Sequence, residues 1–128
     1  HYQSQHILDA KRESLLANFN ELKSQGSNLH GSLAVADNHA EEITLSDGST
    51  VAVTNGNFRS LIADAKTAED REKIFRGVFD HYEAHKHTYA EIYSTVLKSN
   101  VATMKSRNYG STLEAALHHH NIDPAVYH

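Results

Sequence analysis

The sequence predicts a mainly α-helical domain with one long central helix and one small β-hairpin, at about residues 42–53. Three observations carry this. Apolar residues recur at helical spacing through most of the chain. The stretch from Thr67 to Ser106 holds no proline and no glycine other than Gly77. Two short alternating runs flank Ser46-Asp47-Gly48-Ser49, and Asp-Gly between such runs is a strong hairpin signal.

From about Ser4 to Gln25, the positions Ile7, Leu8, Leu15, Leu16, Phe19 and Leu22 predict a first helix, and Gly26 offers the left-handed residue that closes one. Ser27 is placed to cap a short second helix through Leu29, Leu33 and Val35, ending near Asp37-Asn38. Glu42-Ile43-Thr44-Leu45 and Thr50-Val51-Ala52-Val53 form the hairpin, which is marginal alone and must lean on another element. Asn55-Gly56-Asn57 turns into a short helix from Phe58 to Ala65.

Thr67 then caps the long helix, with Glu69 and Asp70 in its first turn, where the helix dipole favours acids. Phe75, Val78, Phe79, Tyr82, Tyr89, Ile92, Tyr93, Val96 and Val101 describe one face, up to about Ser106. Roughly 40 residues at about 1.5 Å each make a rod of about 60 Å, well beyond the ~14 Å radius of gyration expected of such a chain. An apolar stripe of that length requires partners along all of it. The first helix and the hairpin can cover only part, so further polypeptide or a second copy is expected on the stretch from Phe75 to Val96.

Arg107-Asn108-Tyr109-Gly110 ends the rod, and Ser111-Thr112-Leu113-Glu114 reads as a capping box for a helix to about His120. Asp123-Pro124 begins another helix that the remaining residues to His128 are too few to complete. Together with a start at His1 rather than methionine, this leads to the expectation that residues 1–128 are a single helical segment of a larger protein.

Composition narrows the function classes. The 128 residues are 39% hydrophobic with a formal charge of −4 and interspersed signs, which suits a folded body and offers no nucleic-acid or membrane footprint. No apolar run approaches the roughly 20 residues of a bilayer span. With no cysteine, disulfides and thiolate metal sites are excluded, and a reducing cytoplasm is compatible. Histidine is abundant, with 11 copies.

Among these, His81 and His85 stand at i and i+4, a spacing that can chelate a transition metal. In the zinc-protease motif H-E-x-x-H the glutamate follows the first histidine directly. Here Glu83 comes one position later and turns to another side of the helix, so the general base is missing. The bland reading is a solvated or partner-facing surface. His118-His119-His120 reads best as histidines at a helix C-terminus, where the dipole favours their charge, and His85-Lys86-His87 as polar surface. Arg59, Arg71 and Arg76, near Glu69, Asp70 and Glu72, read as surface pairs. No nucleophile elbow and no glycine-rich phosphate cradle is present, and Gly77 has no explanation in the sequence. The residues themselves therefore nominate no catalytic, cofactor-binding or metal-binding side chain.

The order of elements and several strings resemble oligoendopeptidase F, of the thimet-oligopeptidase-like zinc metallopeptidases. They are Leu45-Ser46-Asp47-Gly48, Thr54-Asn55-Gly56-Asn57-Phe58 and Thr67-Ala68-Glu69-Asp70-Arg71-Glu72-Lys73. Most specific is Lys105-Ser106-Arg107-Asn108-Tyr109-Gly110-Ser111-Thr112-Leu113-Glu114-Ala115-Ala116-Leu117, followed by Asn121-Ile122-Asp123-Pro124. The resemblance implies a large two-lobed helical enzyme that hydrolyses short peptides, with zinc on an H-E-x-x-H helix and a further glutamate ligand downstream. Those groups would lie beyond this chain, so the chain alone is expected to be inactive. Its expected role is as scaffold upstream of the zinc domain, with the remainder of the parent polypeptide and short peptides as partners. The residues by themselves leave two alternatives: a stand-alone helical protein-interaction module, and a small metal-buffering protein using His81, His85 and the histidine triplet.

Overall fold

The computed structural model describes residues 3–127; His1, Tyr2 and His128 lie outside the described residues. The chain is mainly helical with one two-stranded antiparallel hairpin. It forms two compact units, one of residues 29–91 and one of residues 1–28 with 92–128.

The unit of residues 29–91 is built on the hairpin. Strands β1 (Glu41–Thr44) and β2 (Thr50–Val53) pair in the register Glu41↔Val53, Glu42↔Ala52, Ile43↔Val51 and Thr44↔Thr50. Leu45 N–H donates to Ser49 O at 2.8 Å, and Gly48 N–H donates to Leu45 O at 3.0 Å. Gly48 has a φ of 84°, the left-handed position that such a bulged hairpin loop reserves for glycine. The period-two alternation places Ile43, Leu45, Val51 and Val53 on one face, packed around Ile74 and Val78. Those two residues belong to the helix Ala68–Ala84, here α5, preceded by α4 (Phe58–Asp64). α4 adds Phe58, Leu61 and Ile62 to the same core. The predicted hairpin, its need for support and the short helix after it are all present.

Two details tie the hairpin down. A Cβ at Gly77 would sit 3.0 Å from Ile43 Cδ1 and 3.5 Å from Val53 Cβ, so this glycine lets the hairpin lie close on α5. Asn57 turns its side-chain amide into a substitute strand: Nδ2 donates to Ala52 O at 2.9 Å, and Oδ1 accepts from Thr54 N–H at 2.8 Å.

The predicted 40-residue rod is not continuous. α5 ends at Ala84, His85 adopts φ −112° and ψ 16°, and a new helix, α6, runs from Lys86 to Ser106. His85 curls back on its own helix, donating both its backbone N–H (3.2 Å) and its ring Nδ1–H (2.9 Å) to His81 O. A side chain that hydrogen-bonds the preceding turn competes with helix propagation. The expected single apolar face is therefore broken as well. Val78 and Ile92 are buried, whereas Phe75, Phe79 and Tyr93 remain exposed.

In the other unit, the predicted first helix is split into α1 (Ala10–Ala17) and α2 (Asn20–Lys23), followed by α3 (Gln25–Gly31). Asp9 starts α1 by accepting from the N–H groups of Lys11 and Arg12. The break at Asn18-Phe19 throws the 3.6-residue stripe out of line, and Leu15, Phe19 and Leu22 stand half exposed or more. Gly26 does not end a helix and Ser27 does not cap one. Gly26 is buried inside α3, where a Cβ would meet Val96 Cγ2 of α6 at 2.6 Å. Within residues 29–91, the second predicted helix appears instead as the end of α3 and a single wide π turn from Ser32 to Ala36.

α7 (Thr112–His118) follows Gly110 as predicted, capped by Ser111, and Pro124–Tyr127 forms a 3₁₀ turn begun by Asp123 accepting from Ala125 N–H.

Candidate functional site

A dense assembly of polar side chains lies in the unit of residues 1–28 and 92–128, around the turn after α6. Asn108 has a φ of 57°, a left-handed conformation that asparagine tolerates. The reversal sends the residues on either side of it to different neighbours. Arg107 grips Glu13 of α1 with two parallel bonds, Nη1–Oε1 at 2.9 Å and Nη2–Oε2 at 2.8 Å. Nη1 also donates to His6 O at 3.1 Å. Such a fork on a carboxylate is the strong form of an ion pair, and the planar guanidinium is what makes it possible.

Tyr109 is buried, with its ring stacked on His6 at a centroid distance of 3.8 Å and an interplanar angle of 15°. His6 in turn donates Nδ1–H to Arg107 O at 2.9 Å. The Glu13 carboxyl is held below its ordinary pKa, first by the hydrogen bonds from Arg107 and then by the one from Leu8 N–H. The turn thus fastens the end of α6 to the start of the chain.

α7 joins the same assembly. Ser111 Oγ accepts from Glu114 N–H at 3.0 Å, the expected half of a capping box. The other half is shifted: Glu114 Oε2 accepts from Gly110 N–H at 2.7 Å, one residue before the cap. Glu114 Oε1 lies 4.0 Å from His6 Nε2. His118 closes the group edge-on, 5.0 Å from the His6 ring and 5.3 Å from that of Tyr109. A cavity of about 440 Å³ opens beside it, lined by His6, Lys23, Arg107, Tyr109, His118 and others. The chemistry is that of a structural clamp, because the Arg107 fork and the Glu13 carboxylate are committed to each other and to the backbone.

The histidines weighed from the sequence fall in different places. His118 is the last residue of α7 and His119 its C-cap, as expected, and His118 also packs against His6 and Tyr109. His81 Nε2 hydrogen-bonds the Tyr89 hydroxyl at 3.2 Å, and its ring lies 4.6 Å from that of His85. Burial raises the Tyr89 pKa, and Tyr82 adds to the shift. Glu83 is exposed and paired with Lys86. Among the described residues, no three of His, Cys, Asp and Glu gather so as to hold a metal ion.

Two residues read as surface pairs do other work. Arg71 Nη1 donates to Ala65 O, satisfying the end of α4. Asp70 is buried in the first turn of α5 and accepts from Ser46 N–H at 2.8 Å and Ser46 O–H at 2.6 Å, bolting the helix to the hairpin loop. The Ser46 hydroxyl is the main cause that holds its pKa below the ordinary 3.8. A carboxylate with a lowered folded pKa stabilises the fold above its unfolded value and loses that contribution as pH falls through the folded one. The melting temperature of the native chain should therefore exceed that of Asp70→Asn by a full margin at pH 7. That gap should close as the pH falls below about 4. An unchanged gap down to pH 2 would refute the role given to this carboxylate.

No known family profile matches the chain. Individual proteins do. It is 32% identical over 122 residues to oligopeptidase PepF of Bacillus subtilis, across 95% of this chain and 18% of that protein. With the plasmid-borne oligoendopeptidase F of Lactococcus lactis subsp. cremoris it shares 29% identity, across 95% of this chain and 20% of that protein. The crystal structure of oligoendopeptidase-F from Enterococcus faecium superposes on 96% of this chain with a TM-score of 0.85 at 32% identity, and 23% of that chain is covered. A putative peptidase from Chlamydophila abortus shares the fold, with a TM-score of 0.82. The chain spans about one fifth of the length of these relatives, and none of its described helices is long and apolar enough to cross a membrane. Over nearly its whole length, in sequence and in fold, this chain is similar to a segment of oligoendopeptidase F.

Proposed function

We propose that this chain is a scaffold segment of a zinc endopeptidase that hydrolyses short peptides, and that its helices help wall the channel admitting them. The supporting observation is the similarity to oligopeptidase PepF across 95% of the chain. The Arg107 assembly fits the reading, since its strongest polar groups tie α1, α6 and α7 together rather than face a substrate. On this reading the zinc ligands and the general base belong to the rest of the parent polypeptide, which is also the chief partner of this segment. The peptides are substrates of the parent, and the cytoplasm is its compartment.

The test is a fluorogenic-peptide assay on two proteins. The product of the whole reading frame should carry an H-E-x-x-H motif beyond residue 128 and cleave the peptide in a chelator-sensitive way. The 128-residue chain should cleave nothing. Metal-dependent cleavage by the short chain, or a full reading frame with neither motif nor activity, would overturn the proposal.

A further inference from the structure

The hairpin has two outer edges, and they are not alike. The bond from Leu45 N–H to Ser49 O marks that pair as hydrogen-bonded, so along the register Ile43↔Val51 and Glu41↔Val53 are hydrogen-bonded too. The backbone groups of the alternate residues then point outward: Glu42 and Thr44 from β1, Thr50 and Ala52 from β2. On the β2 side Asn57 already occupies Ala52 O and Thr54 N–H. On the β1 side, no hydrogen bond from the described residues reaches the amide or carbonyl of Glu42 or Thr44. Glu41, Glu42 and Thr44 are exposed. The edge therefore presents two donors and two acceptors at strand spacing, the template to which an extended chain adds.

Charge selects the occupant. Glu41 and Glu42 take no part in any of the ion pairs among the described residues. They project to opposite faces of β1, so both sides of an added strand meet a carboxylate. A second copy of β1 would bring two more carboxylates to the same seam, where like charges oppose pairing. We propose that the outer edge of β1 binds an extended cationic peptide, which adds as a third strand and sets lysine or arginine side chains against Glu41 and Glu42. This rests on the strand edge alone and is independent of the peptidase reading.

The probe is a capped hexapeptide of valines with two adjacent lysines at its centre, which project to opposite faces of an added strand, titrated into the 128-residue chain and followed by amide NMR and fluorescence anisotropy. Binding should saturate, shift the Glu42 and Thr44 amides and slow their exchange with solvent. N-methylation of alternate peptide nitrogens should abolish it, and a glutamate-for-lysine peptide should not bind. Glu42→Lys, an exposed change that leaves the core intact, should weaken binding roughly fivefold, the scale of a cross-strand charge pair. The proposal fails if no saturable binding occurs, if the N-methylated peptide binds as well, or if the shifts fall elsewhere. It fails equally if sedimentation shows a dimer in which the same two amides are protected without peptide, because a second copy is then the occupant.

Discussion

Ile74→Ala should lower the unfolding free energy by about 2–5 kcal/mol, the usual cost of emptying an isoleucine-sized space in a core. Ile74 is completely buried on the face of α5 that meets the hairpin, packed with Val53 and Val78. Alanine is the better helix former, so the backbone of α5 gains slightly and the loss is attributable to packing. Set against a total of about 5–15 kcal/mol for a typical domain, this single change removes a large share. Urea unfolding should show a lower midpoint with an unchanged slope. Ile74→Val, which leaves a smaller void, should cost only about 0.5–1.5 kcal/mol. A loss below about 1 kcal/mol for the alanine variant would mean that this core repacks freely, contrary to its close packing.

Gly26→Ala should also destabilise, although glycine-to-alanine inside a helix ordinarily gains about 1 kcal/mol. The new Cβ would lie 2.6 Å from Val96 Cγ2, 3.3 Å from Val96 N and 3.4 Å from Ile92 O. The other two neighbours are backbone atoms of α6, one tight at 3.3 Å and one in ordinary contact at 3.4 Å, so turning the stiff Val96 side chain relieves only the closest of the three. Overpacking of this kind costs about 1–3 kcal/mol, which outweighs the propensity gain. Truncating Val96 removes the closest atom, so Gly26→Ala combined with Val96→Ala should lose less than the sum of the two single changes. Strict additivity in that double-mutant cycle would show that the two residues do not meet.

Local signals were legible in the sequence. The hairpin followed from Asp47-Gly48 and two alternating runs, and Thr67 and Ser111 announced their helices through the caps they form. What stayed hidden depends on distant parts of the chain. Gly26 looked like a helix terminator because glycine usually is one; its true reason, the approach of Val96, is 70 residues away. Gly77 was unexplained for the same reason, with Ile43 and Val53 as its neighbours. The break at His85 follows from a ring that bonds the preceding turn, which no periodicity in apolar residues reports.

The candidate site was legible only as a string. Arg107, Tyr109 and Glu114 stood out as part of the family resemblance, but not as a clamp on Glu13 and His6. Their partners there lie about 100 residues earlier. Asp70 was placed correctly in the first turn of α5, where an acid suits the dipole. Its bond to Ser46 could be inferred only once the hairpin was known to fold back onto that turn.

Asn57, which lends its side-chain amide to the margin of β2, has a consequence for solubility. Stacked fibrils require every strand to be a donor on one side and a recipient on the other. With Ala52 O and Thr54 N–H on one flank already taken by its own asparagine, a strand accreting on that side must first displace this side chain. The hairpin's template is therefore weaker on that side, a partial guard against nucleating aggregates of its own kind.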